Sequence, residues 1–222
     1  AMWGPGYDLA LKPLECLWLR ALRVKLLTHV RGKTLELGVG TGLNLPHYPP
    51  GTIVIGIEPD PSMRRRALKR LAPHAFVEDG DAESLAFADR KFDTVVMTLV
   101  LCSVENPERA LKEVQRVLKP GGQLLLLEHV RPPQTLLKWV SEVLTPVWKL
   151  ISGGCHLNRD PWPFIKMLGF NVVESEVFWN DIGRLWILEK QAHAHGNGRV
   201  SSIGAESRAP SAGPRTIQPI KP

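Results

Sequence analysis

The sequence has little cysteine. Its three cysteines, Cys16, Cys102 and Cys155, lie far apart and at uneven spacing. A disulfide framework would need an even number of more closely spaced cysteines, and a zinc finger or ribbon would need them in short paired motifs. Neither pattern is present, so we predict no disulfide framework and no metal site. Such sparse cysteine suits a reducing compartment, and we therefore expect a cytoplasmic protein.

The sequence also lacks a long uncharged apolar run, and a transmembrane helix needs about 20 such residues. Residues 9–31 come nearest, but charged residues interrupt them, namely Lys12, Glu15, Arg20, Arg23 and Lys25. We therefore predict no integral membrane segment. Apolar residues recur at three- and four-residue spacing over residues 7–31, which is typical of an amphipathic helix. This helical cap, residues 1–33, either packs on its own domain or rests on a membrane surface.

Aromatic residues are missing from the densest basic run, residues 64–70, although the formal net charge is +6. Nucleic-acid grooves usually combine basic residues with aromatic rings that stack on bases. Half of the excess charge lies beyond residue 190, where four basic residues stand against one acidic residue. That stretch, residues 191–222, has almost no large apolar side chains that could offset the entropy of ordering. We predict a disordered tail there and no nucleic-acid partner.

Between residues 34 and 190, apolar segments of strand length alternate with helical patterns, which predicts one α/β domain. Seven segments are predicted as strands: Thr34–Leu37, Thr52–Glu58, Ala75–Glu78, Phe92–Leu99, Gln123–His129, Phe170–Phe178 and Arg184–Lys190. A helix is predicted over residues 107–118, and a Lys-Pro-Gly-Gly turn should end it. Residues 132–168 break the alternation as a helical insertion. The pattern predicts a doubly wound, seven-stranded, Rossmann-like sheet with this insertion after the fifth strand.

Three glycines follow the first predicted strand at every second position: Gly38, Gly40 and Gly42. Side chains are missing from such a turn where a ligand lies directly on the backbone. A dinucleotide-binding loop would place its third glycine one residue later, where this sequence has Leu43. No Lys-Ser or Lys-Thr pair follows the glycines, which excludes a Walker-type phosphate loop. The loop therefore indicates a different ligand.

Polar residues end several of the predicted strands, and ligands of doubly wound sheets bind at the carboxyl ends of strands. Glu58 ends the second strand, where a carboxylate can accept hydrogen bonds from two ribose hydroxyls. Asp81 and Ala82 follow the third strand and offer an acceptor and an N–H to an adenine edge, unless Asp81 only forms an Asx turn. Thr98 and His129 lie near the ends of the fourth and fifth strands.

Four motifs in this order resemble those of class I S-adenosylmethionine (SAM) methyltransferases. They are the Glu-x-Gly-x-Gly-x-Gly loop from residue 36, Glu58, residues 80–87 and the Lys-Pro-Gly-Gly turn. The last two resemble the methyltransferase type 11 branch, which includes the ubiquinone-pathway C-methyltransferases. The resemblance implies SAM as methyl donor and S-adenosylhomocysteine as product. It implies cofactor contacts at Glu36, Gly38, Gly40, Gly42, Asn44, Glu58, Met63, Asp81, Ala82 and Thr98, with a place in the core as the alternative for Met63.

Residues 97–104, 127–130 and 154–162 are similar to a smaller group, the methyltransferase-like thiol S-methyltransferases and their bacterial relatives. The Cys-x-Leu-Asn-Arg segment that begins at Cys155 is the most specific part. This resemblance implies direct in-line methyl transfer to a small thiol, such as sulfide or methanethiol. The animal members carry an apolar N-terminal anchor without a counterpart in residues 1–33, so membrane residence is not expected and peripheral membrane contact stays open.

By the same resemblance, five residues should contact the acceptor: Cys102, His129, Cys155, Asn158 and Arg159. We predict that His129 takes the proton of the thiol or pairs with the thiolate, and that Arg159 holds the thiolate by its charge. The alternatives are a packed histidine at a strand end and a structural salt bridge. Direct transfer needs no covalent enzyme intermediate, so both cysteines are interpreted as pocket lining or core.

Two other functions stay open at this point. The first is methylation of a lipid or quinone head group, which the basic amphipathic N-terminal segment would suit. The second is binding of SAM or S-adenosylhomocysteine without catalysis, because the acidic residues and the glycines of the motifs indicate binding only. The sequence does not predict an oligomeric state.

Overall fold

The structure is a computed structural model, and it describes residues 15–132, 134–151, 154–179 and 181–192. The predicted tail from residue 193 and the first part of the predicted N-terminal helix, residues 7–14, lie outside the described residues. The described part forms one seven-stranded sheet with helices on its two faces. The predicted α/β class and the predicted number of strands are therefore confirmed.

The seven strands are β1 (Thr34–Leu37), β2 (Val54–Ile57), β3 (Ala75–Glu78), β4 (Phe92–Thr98), β5 (Leu118–His129), β6 (Asn171–Phe178) and β7 (Gly183–Glu189). Their order across the sheet is β3-β2-β1-β4-β5-β7-β6. The first five strands are parallel to their neighbours, and β7 pairs antiparallel with both β5 and β6. The order reverses direction between β1 and β4, and such a switch point is where doubly wound sheets bind ligands.

The strands at the centre of the sheet are apolar because helices cover both faces. All four residues of β1 are buried, as are residues 94–97 of β4 and residues 122–128 of β5. Their side chains divide between two core layers, one on each face of the sheet. The short apolar β-branched runs of the sequence therefore form the centre of the sheet, as the pattern predicts.

β5 begins earlier than the sequence indicates. The preceding helix ends at Val117, and β5 starts at Leu118 rather than at Gln123. The pairing with β4 jumps from Phe92–Leu118 to Thr94–Gln123, so residues 119–122 form an irregularity inside the strand. Gly121 takes a left-handed backbone there, with φ +70°. The Lys-Pro-Gly-Gly turn is thus present, but one extra strand residue precedes it.

The helices are α1 (Arg20–Leu27), α2 (Pro61–Ala67), α3 (Pro107–Val117), α4 (Thr135–Ile151) and α5 (Trp162–Met167). A π-helical turn at Glu15–Leu19 precedes α1, and 3₁₀ turns lie at Leu45–His47 and Leu68–Arg70. α2 and α3 begin at a proline and are capped by the side chains of Asp60 and Asn106. Proline at the first position and Asx at the cap are the expected start of a helix.

The N-terminal helix α1 packs on its own domain. Leu19, Leu26 and Leu27 are almost fully buried in the core layer that β5 and β7 line. Lys25 also pairs with Glu176 of β6. The described residues of this segment therefore include a helix that is docked on the domain. Among the described residues, the structure contains no helix with the length and apolar character needed to cross a membrane.

Candidate active site

A cleft of about 850 Å³ lies at the carboxyl edge of the sheet, around the switch point between β1 and β4. This volume falls within the range of about 300–1,000 Å³ that is common for small-molecule sites. Seven of the ten predicted cofactor residues line the cleft: Gly38, Gly40, Glu58, Met63, Asp81, Ala82 and Thr98. The structure therefore brings together residues from four different strand ends.

The three loop glycines share a left-handed backbone, with φ of +62° at Gly38, +59° at Gly40 and +86° at Gly42. Their surroundings differ. A Cβ on Gly38 would lie 2.7 Å from Val100, and one on Gly42 would lie 2.8 Å from the backbone of Ala67. A Cβ on Gly40 would meet no atom closer than the carbonyl oxygen of Gly38, at 3.9 Å. Gly40 alone among these three therefore keeps open space, and that space belongs to the cleft.

Glu58 lies beside this loop, and its carboxylate already accepts two backbone hydrogen bonds. Gly40 N–H donates to Oε2 at 2.8 Å, and Asp60 N–H donates to Oε1 at 3.0 Å. Burial raises the pKa of Glu58 above its usual value, and these two N–H groups partly offset the effect. Each oxygen keeps a further lone pair, so the carboxylate can still accept from a ligand's hydroxyls.

Glu36 and Asn44 lie behind the glycine loop, outside the residues that line the cleft. Asn44 Nδ2 donates to Glu36 Oε1 at 2.9 Å and to Thr98 Oγ1 at 3.0 Å. Tyr48 donates its hydroxyl to Glu36 Oε2 at 2.9 Å. Burial raises the pKa of Glu36 to about 7, even though both hydrogen bonds act in the opposite direction. Glu36 and Asn44 therefore support the cleft from behind, through the hydrogen bond of Asn44 to the lining residue Thr98.

The N-terminal helix extends this buried network. Arg23 Nη1 donates to Asn44 Oδ1 at 3.0 Å, and the same guanidinium forms an ion pair with Glu15 at 2.7 Å. Neither Arg23, Glu15 nor Tyr48 is among the residues predicted from the sequence. The only available signal was a basic residue within the apolar stripe of an amphipathic helix, and such a residue is normally exposed.

The predicted adenine-side residues occupy the end of the cleft near β3. Ala82 is buried and Asp81 is exposed. Asp81 Oδ1 accepts the N–H of Glu83 at 2.8 Å, which is the Asx-type turn considered above. Met63, on α2, also lines the cleft rather than the core. These positions allow contact with a ligand, and the turn fixes the backbone that would present it.

The cleft lining is more acidic than basic. Arg109 and Lys149 are its two basic residues. Five carboxylates stand against them: Glu58, Asp60, Asp81, Glu83 and Glu105. Because opposite charges attract, this lining favours a ligand that carries positive charge.

The opposite wall of the cleft consists of the segment that follows β4. Leu99 takes a left-handed backbone with φ +57°, which is unusual for a residue with a branched side chain. Val100 and Leu101 then donate their N–H groups to Glu128 Oε1 at 2.7 and 2.9 Å. Glu128 is fully buried, and burial raises its pKa to about 7. Glu128 is not among the residues predicted from the sequence, where it is a lone acidic residue within the apolar β5 segment.

Directly behind this wall, three predicted acceptor-side residues meet. His129 Nε2 lies 2.8 Å from Cys155 Sγ, and the ligating atoms of Cys102, His129 and Cys155 all lie within 4.8 Å of one another. Burial lowers the pKa of His129, but Cys155 and Glu128 outweigh that effect and leave it raised. The Cys155 side chain, burial and the Glu128 charge together raise the pKa of the Cys102 thiol.

Arg159 lies close by and holds backbone rather than another side chain. Its Nη1 donates to the carbonyl oxygens of Leu101 at 2.8 Å and Val104 at 2.5 Å. The guanidinium therefore braces the wall formed by residues 99–104. Asn158 is partly buried in the same segment. The predicted roles of His129 and Arg159 toward a thiolate stay predictions.

Comparison with known proteins agrees with this geometry. Residues 35–126 match the family model described as a methyltransferase domain. The chain is 44% identical over 150 residues to thiol S-methyltransferase TMT1B of Rattus norvegicus, a match that covers 64% of this chain and 61% of the relative. The human TMT1B protein is 39% identical over 164 residues, with 69% of this chain and 67% of that protein covered. The chain thus spans about three fifths to two thirds of these relatives.

A demethylmenaquinone methyltransferase of Thermus thermophilus is 36% identical over 172 residues, with coverage of 70% of this chain and 78% of that protein. Among solved structures, a SAM-dependent methyltransferase from Thermotoga maritima superposes with a TM-score of 0.62 at 24% identity, over 86% of this chain and all of the other. This structural likeness supports the fold. Together with the cleft, these matches show that the chain belongs to the class I SAM-dependent methyltransferases.

Proposed function

We propose that this protein transfers a methyl group from SAM to the sulfur of a small thiol. The observation that carries the proposal is the acidic cleft, in which the glycine loop and Glu58 face the wall of residues 99–104. When bound, SAM supplies a methyl group on a positively charged sulfonium sulfur. The names of the relatives that are thiol S-methyltransferases support sulfur as the acceptor atom.

The residues on the loop side fit this cofactor. The open space at Gly40 lets a ligand lie on the backbone, where any larger side chain would occupy the cleft. The Glu58 carboxylate would accept hydrogen bonds from the two ribose hydroxyls. Asp81 and Ala82 would contact the adenine, and Met63 would pack on it. The excess of carboxylates in the lining would attract the positively charged sulfonium.

The residues of the opposite wall fit a thiol acceptor. Leu99, Val100 and Val104 give this side of the cleft an apolar surface, which would limit the access of water to a nucleophile. A thiolate and a sulfonium lose their charges on reaction, so a dry site that aligns them supplies much of the acceleration. A free thiol has a pKa near 8.5, so roughly a few per cent is ionised at neutral pH without any protein base.

A panel of acceptors tests the proposal. The protein would be incubated with methyl-labelled SAM and one acceptor per reaction. The acceptors would be sulfide, methanethiol, longer aliphatic thiols and phosphatidylethanolamine. We expect labelled methyl thioethers from thiols and at least tenfold less label in the amine lipid. Label in the lipid without label in any thiol would contradict the proposal. SAM binding without any transfer would indicate a binding protein instead.

A second candidate is methylation of a lipid or quinone head group, and one surface favours it. Helix α4 exposes Leu136, Trp139 and Val143 at 72%, 60% and 53%, and this spacing places the three on one face. Lys149 of the same helix lines the cleft. An amphiphilic acceptor could rest on this face with its head group in the cleft. Phosphatidylethanolamine N-methyltransferase of Cereibacter sphaeroides, 39% identical over 103 residues, carries such an activity in its name.

A further inference from the structure

Two thiols and one imidazole converge behind the wall of the cleft, although they come from three separate parts of the chain. Cys102 follows β4, His129 ends β5, and Cys155 lies between α4 and α5. All three ligating atoms lie within 4.8 Å of one another. We propose that Cys102, His129 and Cys155 form a Zn²⁺ site with three protein ligands and a fourth position open to water.

The distances fit this metal after a small adjustment. Tetrahedral zinc with Zn–S bonds of about 2.3 Å and Zn–N bonds of about 2.05 Å separates two sulfurs by about 3.8 Å and sulfur from nitrogen by about 3.6 Å. The separations here stay within 4.8 Å, and the Nε2–Sγ distance of 2.8 Å to Cys155 needs to open by less than 1 Å.

The ligand types point to zinc rather than to a harder cation. Thiolate and neutral imidazole are the preferred ligands of Zn²⁺, whereas Mg²⁺ and Ca²⁺ prefer oxygen. Three protein ligands with a fourth position for water are the usual arrangement of a catalytic zinc site, whereas structural sites have four protein ligands. Both cysteines are shielded from solvent, with exposures of 3% for Cys102 and 8% for Cys155. Shielding of this kind protects thiolate ligands from oxidation and from competing ligands.

A second observation at this place supports a bound ligand, and it concerns the side chain of Glu128. Oε2 of Glu128 is buried without a hydrogen-bond partner in the described part of the chain, although Oε1 binds the N–H groups of Val100 and Leu101. Buried carboxylate oxygens normally have a partner. Glu128 adjoins the proposed site through Leu101, which directly precedes Cys102 in the chain and donates its N–H to Glu128 Oε1. A water on the open position of zinc would supply a donor there.

The proposed metal site would also connect two chain segments that line the cleft. Ser103 and Gly154 line the cleft, and each directly adjoins one of the proposed sulfur ligands in the chain. A metal between Cys102 and Cys155 would therefore fix these two lining segments relative to each other. His156 already supports the same junction, because its N–H donates to the carbonyl oxygen of Cys102 at 2.8 Å.

The test measures bound metal and needs no methyl acceptor, so its result is independent of the proposed reaction. The untagged chain would be produced with added zinc, purified without chelators under reducing conditions, and measured for zinc by elemental analysis. Cobalt replacement would then be followed by absorption, since thiolate ligands give Co²⁺ a characteristic charge-transfer band. Variants Cys102→Ser, Cys155→Ser and His129→Ala remove one ligand each, with Cys16→Ser and His74→Asn as matched controls.

We expect one zinc per chain in the unaltered protein and in both controls, with thiolate bands on cobalt loading. Each ligand variant should bind zinc at least tenfold more weakly in competition with a coloured chelator. Circular dichroism would establish that the variants compared are folded. Folded, reduced protein without zinc affinity, or zinc affinity that survives all three ligand variants, would overturn the proposal. A Cys102–Cys155 disulfide in protein purified without reductant, with no zinc bound after reduction, would overturn it as well.

Discussion

At the scale of single residues, Gly40 and Gly42 share a backbone conformation but differ in what surrounds them. Replacement of either by alanine forces a side chain into left-handed backbone, at a cost of about 1–2 kcal/mol. Gly42→Ala also pushes its Cβ to 2.8 Å from the Ala67 backbone, whereas Gly40→Ala fills only cleft space. We expect Gly42→Ala to be the less stable variant in urea unfolding. Gly40→Ala should instead lose at least tenfold in SAM affinity by calorimetry.

Equal stability of the two alanine variants would contradict the packing role given to Gly42. Unchanged SAM affinity in Gly40→Ala would mean that the cofactor does not lie on this part of the loop. Both measurements are made without an acceptor.

Glu58 offers a direct test of the proposed ribose contact. Glu58→Ala should weaken SAM binding by about 1.5–3 kcal/mol, the range for loss of a hydrogen-bond partner that carries charge. Glu78→Ala is the matched control, because Glu78 ends the neighbouring strand β3 but is exposed and outside the lining of the cleft. Calorimetry on both variants checks the prediction. Affinity within twofold of the unaltered protein in folded Glu58→Ala would reject the ribose role.

Glu36 predicts a pH dependence of stability. Its pKa is raised to about 7 in the folded state from 4.5, so the unfolded chain ionises first as pH rises. Between these two values the folded state binds the extra proton, and the unfolding free energy falls as pH rises. The full loss amounts to about 3 kcal/mol, since one pKa unit corresponds to about 1.4 kcal/mol.

Glu36→Gln removes this titration while it keeps an acceptor for Asn44. The stability of the variant relative to the unaltered protein should therefore improve by about 2–3 kcal/mol between pH 4.5 and pH 8. Urea unfolding at both pH values, without SAM, measures the difference. A constant difference across this range would show that Glu36 ionises normally in the fold.

At the scale of elements, Arg159 connects the segment before α5 with the wall after β4. Its two hydrogen bonds to carbonyl oxygens predict that Arg159→Met lowers the unfolding free energy by about 1–2 kcal/mol, a value reduced for partial exposure. The rate of methyl transfer should also fall, and by the same factor at every pH. Arg131→Met is a suitable control, because Arg131 pairs with Glu142 on the surface of α4. A variant with unchanged stability but lost transfer would favour a direct electrostatic role.

The parallel strands and their helices could be predicted from the sequence because local patterns encode them. β1 and β3 have the predicted bounds, and β2, β4, β6 and β7 differ by at most two residues at an end. The start of β5 could not be predicted in the same way. The Lys-Pro-Gly-Gly turn ends a helix locally, and only the pairing of Leu118 with Phe92 extends the strand to the other side of that turn.

At the scale of the whole molecule, the convergence of residues at the carboxyl edge of the sheet was predictable and the buried clusters were not. Gly40, Glu58 and Asp81 follow parallel strands and Thr98 ends one, and the carboxyl ends of such strands meet at one edge. The meeting of His129 with Cys155 depends on how the insertion folds back over β5. The pairing of Arg23 with Asn44 depends on how α1 docks. Neither contact follows from periodicity or from spacing along the chain.

The central claim is that sulfur of a small thiol accepts the methyl group as thiolate. Its most direct test is the pH dependence of kcat/KM for two thiols of clearly different acidity, with each methyl thioether identified by mass spectrometry. If the free thiolate is the nucleophile, each profile should rise about tenfold per pH unit and level off near the pKa of that acceptor. The inflection should therefore move with the thiol. One inflection shared by both thiols would assign the deprotonation to a group of the protein, such as His129. Absence of a methyl thioether from both thiols would contradict the central claim.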